Sequence, residues 1–228
     1  SILARVQTNC QFLGASTLRK TLCPLPTHFG HGLIGNCLTP WFSGGDVYLN
    51  PVGTIDALTS MGEFIDDKEI TFLSSVPSMW EMISRTSRPP RKKTLKRVNV
   101  GSAPLSQSLW NTIIDWAQIA DVANMYGITE TANWIGGASA SNYVPEDGLV
   151  GKIWSGNVMV EQEAGHVVNS GYGEILIQTA SIMRGYLDLD DLTASVIKGG
   201  YFRTGDIGQV NQDGEIRLVG LKKLEINR

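Results

Sequence analysis

Between residues 46 and 127 the chain alternates short strand-like runs with amphipathic helical segments, and this rhythm limits more than any other feature what it can fold into. "DVYLN" (46–50) reads as a strand, "TIDALTSMGEFIDD" (54–67) as a helix and "ITFLSS" (70–75) as another strand. A helix follows from about Ser78 to Ser84, then the strand "RVNVGS" (97–102). The next helix begins at Pro104, with Leu105, Leu109, Ile113 and Trp116 recurring at helical spacing. "DVANMYG" (121–127) supplies a further strand. Such alternation implies an α/β layer. Two of the strands run directly into glycine-containing turns, "GSAP" (101–104) and "YGITE" (126–130). In open α/β sheets ligands collect beyond the carboxyl ends of strands, so both turns are placed to line a crevice.

After about Gly151 the texture changes to short strands, "NVMVEQ", "GEILIQT" and "GEIRLVG", broken by Gly and Asn-Ser turns, with one helical insertion near "DDLTASVI". The expected organisation is therefore α/β in class: a layered α/β subdomain over residues 1–150, then a small β-rich subdomain, a distorted barrel, over 151–219. Pro145, Gly148, Gly151 and Gly156 mark the boundary. "SILARVQTNCQFLG" enters in mid-helix pattern and "GLKKLEINR" stops just after a strand, so truncation at both ends is expected.

A chain of 228 residues that is 42% hydrophobic, with a formal net charge of −3, describes a globular protein with a real core and no global field for nucleic acid or an anionic membrane. Small-molecule chemistry is the better expectation. Cys10, Cys23 and Cys37 are odd in number and form no CxxC pair, and there is no HExxH; they read as free thiols in a reducing, cytoplasmic compartment, without structural zinc. No apolar run reaches the roughly 18 residues a membrane span needs. The basic stretch "SRTSRPPRKKTLKR" (84–97) reads as a solvated surface loop, with a phosphate-binding patch as the sharper alternative.

Together the segments "PTHFGHGL" (26–33), "SSVPSMW" (74–80), "GSAPL" (101–105), "YGITE" (126–130), "GEILIQTASIMRGYL" (173–187), "GYFRTGD" (200–206) and "DGEIRLVGLKK" (213–223) resemble, in order and spacing, the adenylate-forming (AMP-binding) superfamily of acyl-CoA synthetases, luciferases and peptide-synthetase adenylation domains. The resemblance implies a carboxylate that attacks the α-phosphate of ATP, releasing pyrophosphate, and an acyl group then passed to coenzyme A or to the phosphopantetheine of an acyl carrier protein. Bringing two anions together demands Mg²⁺ and hydrogen-bond donors. By the same resemblance Glu130 is the magnesium ligand, Thr129 offers its hydroxyl to phosphate, and Lys223 occupies the hinge. Gly101, Ser102, Ala103, Pro104, Met125, Tyr126, Gly127, Thr129 and Asp206 form the nucleotide site, with Tyr126 covering the adenine and Asp206 holding the ribose hydroxyls. His28, Phe29, His31, Val76, Gly127 and Trp134 form the acyl pocket. Simpler readings stand beside these: Thr129 as a helix cap, Asp206 in a surface turn, His28 and His31 as ordinary loop residues, Trp134 as core.

The departures also carry information. Phe29 stands where relatives place a histidine. No aspartate occurs between Leu25 and Thr39 to hold an α-ammonium, which favours a simple carboxylic acid over an amino acid. The phosphate loop that should precede residue 1 and the lid domain beyond Arg228 are absent, so the fragment alone is expected to catalyse little or nothing. Leu221 replaces the hinge arginine and cannot donate a hydrogen bond. That favours the alternative of a degenerate, non-catalytic acyl- or nucleotide-binding module, with a nucleotide sensor as a weaker third reading. Residues 220–228 would begin the hinge.

Overall fold

The computed structural model describes residues 1–49 and 54–221. Among these residues thirteen strands form one sheet: β1 (Lys20–Cys23), β2 (Asp46–Leu49), β3 (Phe72–Ser75), β4 (Arg97–Val100), β5 (Val122–Gly127), β6 (Trp134–Ser139), β7 (Leu149–Ile153), β8 (Asn157–Glu161), β9 (Val167–Val168), β10 (Gly171–Gln178), β11 (Ile197–Lys198), β12 (Tyr201–Val210) and β13 (Ile216–Leu221). The order is β2-β1-β3-β4-β5-β6-β7-β13-β12-β10-β8-β9, with β11 against β12. Strands β2 through β5 pair in parallel, as crossover helices require, and from the β5–β6 pair onward every pairing is antiparallel. The expected succession of an α/β layer and a β-rich region is thus present, joined edge to edge in one sheet.

The largest core lies between the parallel strands and the helices Pro77–Thr86 and Gln107–Ala117, where Trp80, Ile83, Trp110, Ile113 and Trp116 are buried against Leu73, Val98 and Val122. Trp110 donates its indole N–H to the Val122 carbonyl at 2.9 Å, so the ring satisfies its polar edge while filling the core. A second cluster, Ile135, Val150, Val160, Ile175, Ile177, Val210 and Ile216, fills the antiparallel half, and Tyr126 belongs to it.

Several element boundaries differ from expectation. The helix expected to begin at Pro104 starts at Gln107, because the Ser106 hydroxyl accepts from Leu109 N–H and caps it, leaving Pro104 in the preceding turn. The helix expected over 54–67 is two, Ile55–Thr59 and Met61–Lys68. The hydroxyls of Thr59 and Ser60 both bond the Asp56 carbonyl, at 3.1 and 2.6 Å, a local competition that breaks the ladder. The basic stretch is neither a loose loop nor one patch. Asp66 accepts from the backbone N–H of Arg91 and Lys92 and from the Arg88 guanidinium, folding the loop back on itself. Arg97 is buried, paired with Asp121 at 2.9 Å and set over the Phe12 ring. The "RTGD" motif lies within strand β12, not in a surface turn.

Candidate active site

A cavity of about 640 Å³ opens beyond the carboxyl ends of the parallel strands. Each of four strands contributes residues that follow it: Leu25, Pro26 and Phe29 to Gly32 after β1, Val76 and Met79 after β3, Ser102 after β4, and Gly127 to Thr129 at and after β5. The return of the chain into β6 adds Ala132, Asn133 and Trp134. Of the residues singled out in the sequence, Phe29, His31, Val76, Ser102, Met125, Gly127, Thr129 and Trp134 line this space. Gly101, Ala103 and Pro104 stand next to Ser102 in the turn but do not line it, and neither do His28, Tyr126, Glu130 or Asp206. Lys223 lies outside the described residues.

Two glycines let the walls close. A Cβ on Gly127 would fall 2.4 Å from the Asn133 carbonyl oxygen, and one on Gly35 would fall 2.7 Å from both Asn133 Nδ2 and the Trp134 ring. The helix His31–Leu38, wound wide in π form, therefore packs tightly against Trp134, which is 3% exposed and serves as both core and wall. π-type turns are frequent at functional sites.

His31 faces the cavity with both ring nitrogens engaged, Nδ1 with Ser102 Oγ at 2.8 Å and Nε2 with Ser74 Oγ at 2.7 Å. Trp134 meets the ring edge-on at 5.3 Å between centroids. Burial pushes the imidazole pKa down to about 4, so the ring is neutral at physiological pH. Ser102 adopts φ of +66°, a left-handed conformation uncommon for serine, and such outliers cluster at functional sites. His28 is exposed and stacks obliquely on Phe29, itself 61% exposed at the cavity rim.

Thr129 does not act as a helix cap: the Thr131 hydroxyl bonds both N–H and C=O of Ile128, leaving Thr129 exposed toward the cavity. Glu130 is held twice by one downstream segment. Tyr186 O–H donates to Glu130 Oε1 at 2.8 Å, and Met183 N–H donates to the Glu130 carbonyl at 2.7 Å. Burial and the bond to Glu130 push the Tyr186 pKa up to about 12. Glu130 Oε2 has no hydrogen-bond partner among the described residues.

On the other face of β5, Tyr126 O–H donates to Asp206 Oδ2 at 2.5 Å. Asp206 is 9% exposed. Burial raises its carboxyl pKa, the Tyr126 bond pulls it back, and nearby Glu174 raises it again. Glu174 is itself paired with Arg203 at 2.8 Å.

Met79, Ala132, Asn133 and Tyr186 were not anticipated. Met79 and Tyr186 sit inside quoted motifs, "SSVPSMW" and "SIMRGYL", so the signal was present. Asn133 offers none beyond a polar residue before an apolar strand. Ala132, at φ of +72°, shows its strain only in the fold.

The fold is that of an adenylate-forming enzyme domain. O-succinylbenzoate coenzyme A synthetase from Bacillus subtilis, solved in complex with AMP, matches with a TM-score of 0.84 over 97% of this chain and 45% of that one, at 20% identity. The family described as AMP-binding enzyme matches residues 2–187, and the chain belongs to it. A putative acyl-coenzyme A synthetase of Emericella nidulans is 32% identical over 210 residues, 90% of this chain and 36% of that protein. An oxalate–CoA ligase of Arabidopsis thaliana is 27% identical over 92% of this chain and 41% of its own length. The chain thus spans well under half of these curated relatives.

Proposed function

We propose that the protein carrying this chain is an AMP-forming ligase of the acyl-CoA synthetase type, which joins a carboxylic acid to ATP and hands the acyl group to coenzyme A or to a carrier-protein phosphopantetheine. One observation carries this: residues from segments far apart in sequence, Phe29 and His31, Val76 and Met79, Ser102, and Gly127 to Thr129, meet in one cavity at the carboxyl ends of parallel strands. Membership of the AMP-binding enzyme family supports it.

In this reading a carboxylate oxygen bonds to the α-phosphorus of ATP and pyrophosphate leaves; a thiol sulfur then attacks the acyl carbon and AMP leaves. Thr129, on the cavity wall, donates its hydroxyl to a phosphate oxygen. Glu130 fits a magnesium role, since Tyr186 fixes one oxygen and the other is without a partner among the described residues. No cluster of three or more His, Cys, Asp or Glu able to hold a metal occurs among the described residues. That suits an ion bound by one carboxylate, phosphates and water. When bound, Mg²⁺ neutralises phosphate charge during attack. Asp206 presents its other oxygen to ribose hydroxyls, and the buried Tyr126 orients that carboxylate through its 2.5 Å bond as well as edging the adenine site.

We further propose the subdomain division near residue 150, the hinge from Gly220 with Lys223, a cytoplasmic setting, and little catalysis by this segment alone. No helix among the described residues is long and apolar enough to cross a membrane. One observation favours the second reading, a non-catalytic binding module. Leu221 pairs in register with Asp206, so the residue lacking the arginine hydrogen bonds lies directly across from the ribose carboxylate.

Calorimetric titration of the chain with AMP and with a nonhydrolysable acyl-adenylate mimic tests the proposal. Saturable binding, weakened about tenfold or more by Asp206→Asn, is the expected result. A folded chain that binds neither ligand refutes it.

A further inference from the structure

Leu25, Val76, Met79, Met125, Ile128 and Trp134 give the cavity an apolar wall, and no lysine or arginine occurs among the described residues that line it. Its polar side chains are mostly committed to one another. Both nitrogens of His31 are engaged by Ser74 and Ser102. Asn133 accepts from Trp134 N–H at 2.5 Å through Oδ1 and donates to the Gly30 carbonyl at 3.1 Å through Nδ2. Among the polar side chains on the wall, Thr129 is the one without a hydrogen-bond partner among the described residues.

A cavity so lined offers an anion a free side-chain donor at Thr129 and, among the described residues, no positive charge. His31 cannot supply one, because burial keeps it neutral. A second carboxylate carried in on the acyl group would leave water without a cation and displace existing hydrogen bonds to find donors, which strongly disfavours it. An aliphatic or aromatic tail loses nothing polar on entry and gains contact with methionine, valine and tryptophan, and about 640 Å³ is ample room for a tail of moderate size.

We infer that this cavity selects an apolar acid bearing a single carboxylate and rejects dicarboxylic acids. The inference rests on the acid-activating reading above and departs from the two relatives named for oxalate and O-succinylbenzoate, both dicarboxylic acids. Met79 and Val76 become specificity-determining positions, because a cation at either would give a second carboxylate its partner.

The test is a matched pair of sulfamoyl-adenosine mimics, hexanoyl and adipoyl, which differ by the terminal carboxylate, titrated into the chain beside AMP. The adipoyl compound is expected to bind at least about tenfold more weakly than the hexanoyl one. Met79→Arg, or Val76→Lys should the first variant not fold, is expected to narrow that gap severalfold. AMP binding with no preference between the mimics, with the adipoyl compound preferred, or with neither mimic bound overturns this inference alone. So does a folded cationic variant that leaves the gap unchanged. A folded wild type that binds neither AMP nor either mimic overturns the acid-activating reading, and this inference with it.

Discussion

Replacing Tyr126 with phenylalanine removes one oxygen atom from the fold and leaves a buried carboxylate without its donor. The Tyr126–Asp206 bond is 2.5 Å long, and both partners are almost wholly buried, at 6% and 9% exposure. A hydrogen bond to a charged group contributes about 1.5–3 kcal/mol. At roughly 2–4 °C per kcal/mol for a chain of this size, Tyr126→Phe should lower Tm by about 3–12 °C at neutral pH. The penalty should also depend on pH in a definite direction. Burial already raises the Asp206 pKa, and the tyrosine bond opposes that rise. A carboxyl whose folded pKa is raised favours the folded state below its unfolded pKa and loses that contribution as pH climbs through the folded value. Without the tyrosine the folded value moves higher still, so the variant loses more on going to neutral pH. Tyr126 itself, its pKa raised well above the usual value by burial, keeps its proton throughout. Urea unfolding followed by tryptophan fluorescence at about pH 4.5 and about pH 7.5 measures both effects. A penalty equal at the two pH values, or absent at the higher, would refute the view that the tyrosine serves an ionised Asp206.

Tyr186→Phe removes the 2.8 Å bond that fixes Glu130 Oε1, and should raise severalfold the Mg²⁺ concentration at which ATP binds while leaving the fold intact; an unchanged magnesium titration sinks the positioning role. Gly35→Ala places a methyl 2.7 Å from Asn133 and the Trp134 ring and should cost about 1–3 kcal/mol in urea unfolding. A loss under about 0.5 kcal/mol would mean the cavity wall is loosely packed. Cys37 is buried, and burial together with neighbouring Cys23 pushes its thiol pKa up to about 12. It should therefore resist iodoacetamide at neutral pH until urea unfolds the chain, and rapid labelling of the native protein, read by mass spectrometry, would contradict that.

What the sequence made legible followed from strong local signals. β5 and the glycine turn after it could be placed because an apolar run ends in Tyr-Gly, and the β-rich texture after about Gly151 because glycine and Asn-Ser turns replace helical spacing, but the pairing turns antiparallel earlier, at β6. Boundaries set by single hydroxyls were not legible: Ser106 moved a helix start by three residues past Pro104, and Thr59 with Ser60 cut another in two. The site residues fell out similarly. Thr129 and His31 stand on the cavity wall, yet the partners that fix His31, Ser74 and Ser102, lie 43 and 71 residues away in sequence. No local pattern reports such pairings. Tyr126 is buried with its hydroxyl on Asp206, 80 residues away in sequence, because the two-residue period of β5 turns Met125 to the cavity and Tyr126 away from it, and no local pattern reports that partner either.

That alternation bears on how this protein can change over evolutionary time. Strand β5 sends Ala123 and Met125 toward Phe72 and Trp134, while its other face carries Val122 into the helix-covered core and Tyr126 into the cluster of the antiparallel half. An insertion or deletion of one residue between Val122 and Gly127 would exchange both sets at once, putting a tyrosine where the cavity wall needs methionine and stranding Asp206 across the sheet. The loops around the cavity can drift independently and retune what enters it. The six residues of β5 can vary only in place, so diversification of the acid pocket is channelled into the segments after β1 and β3.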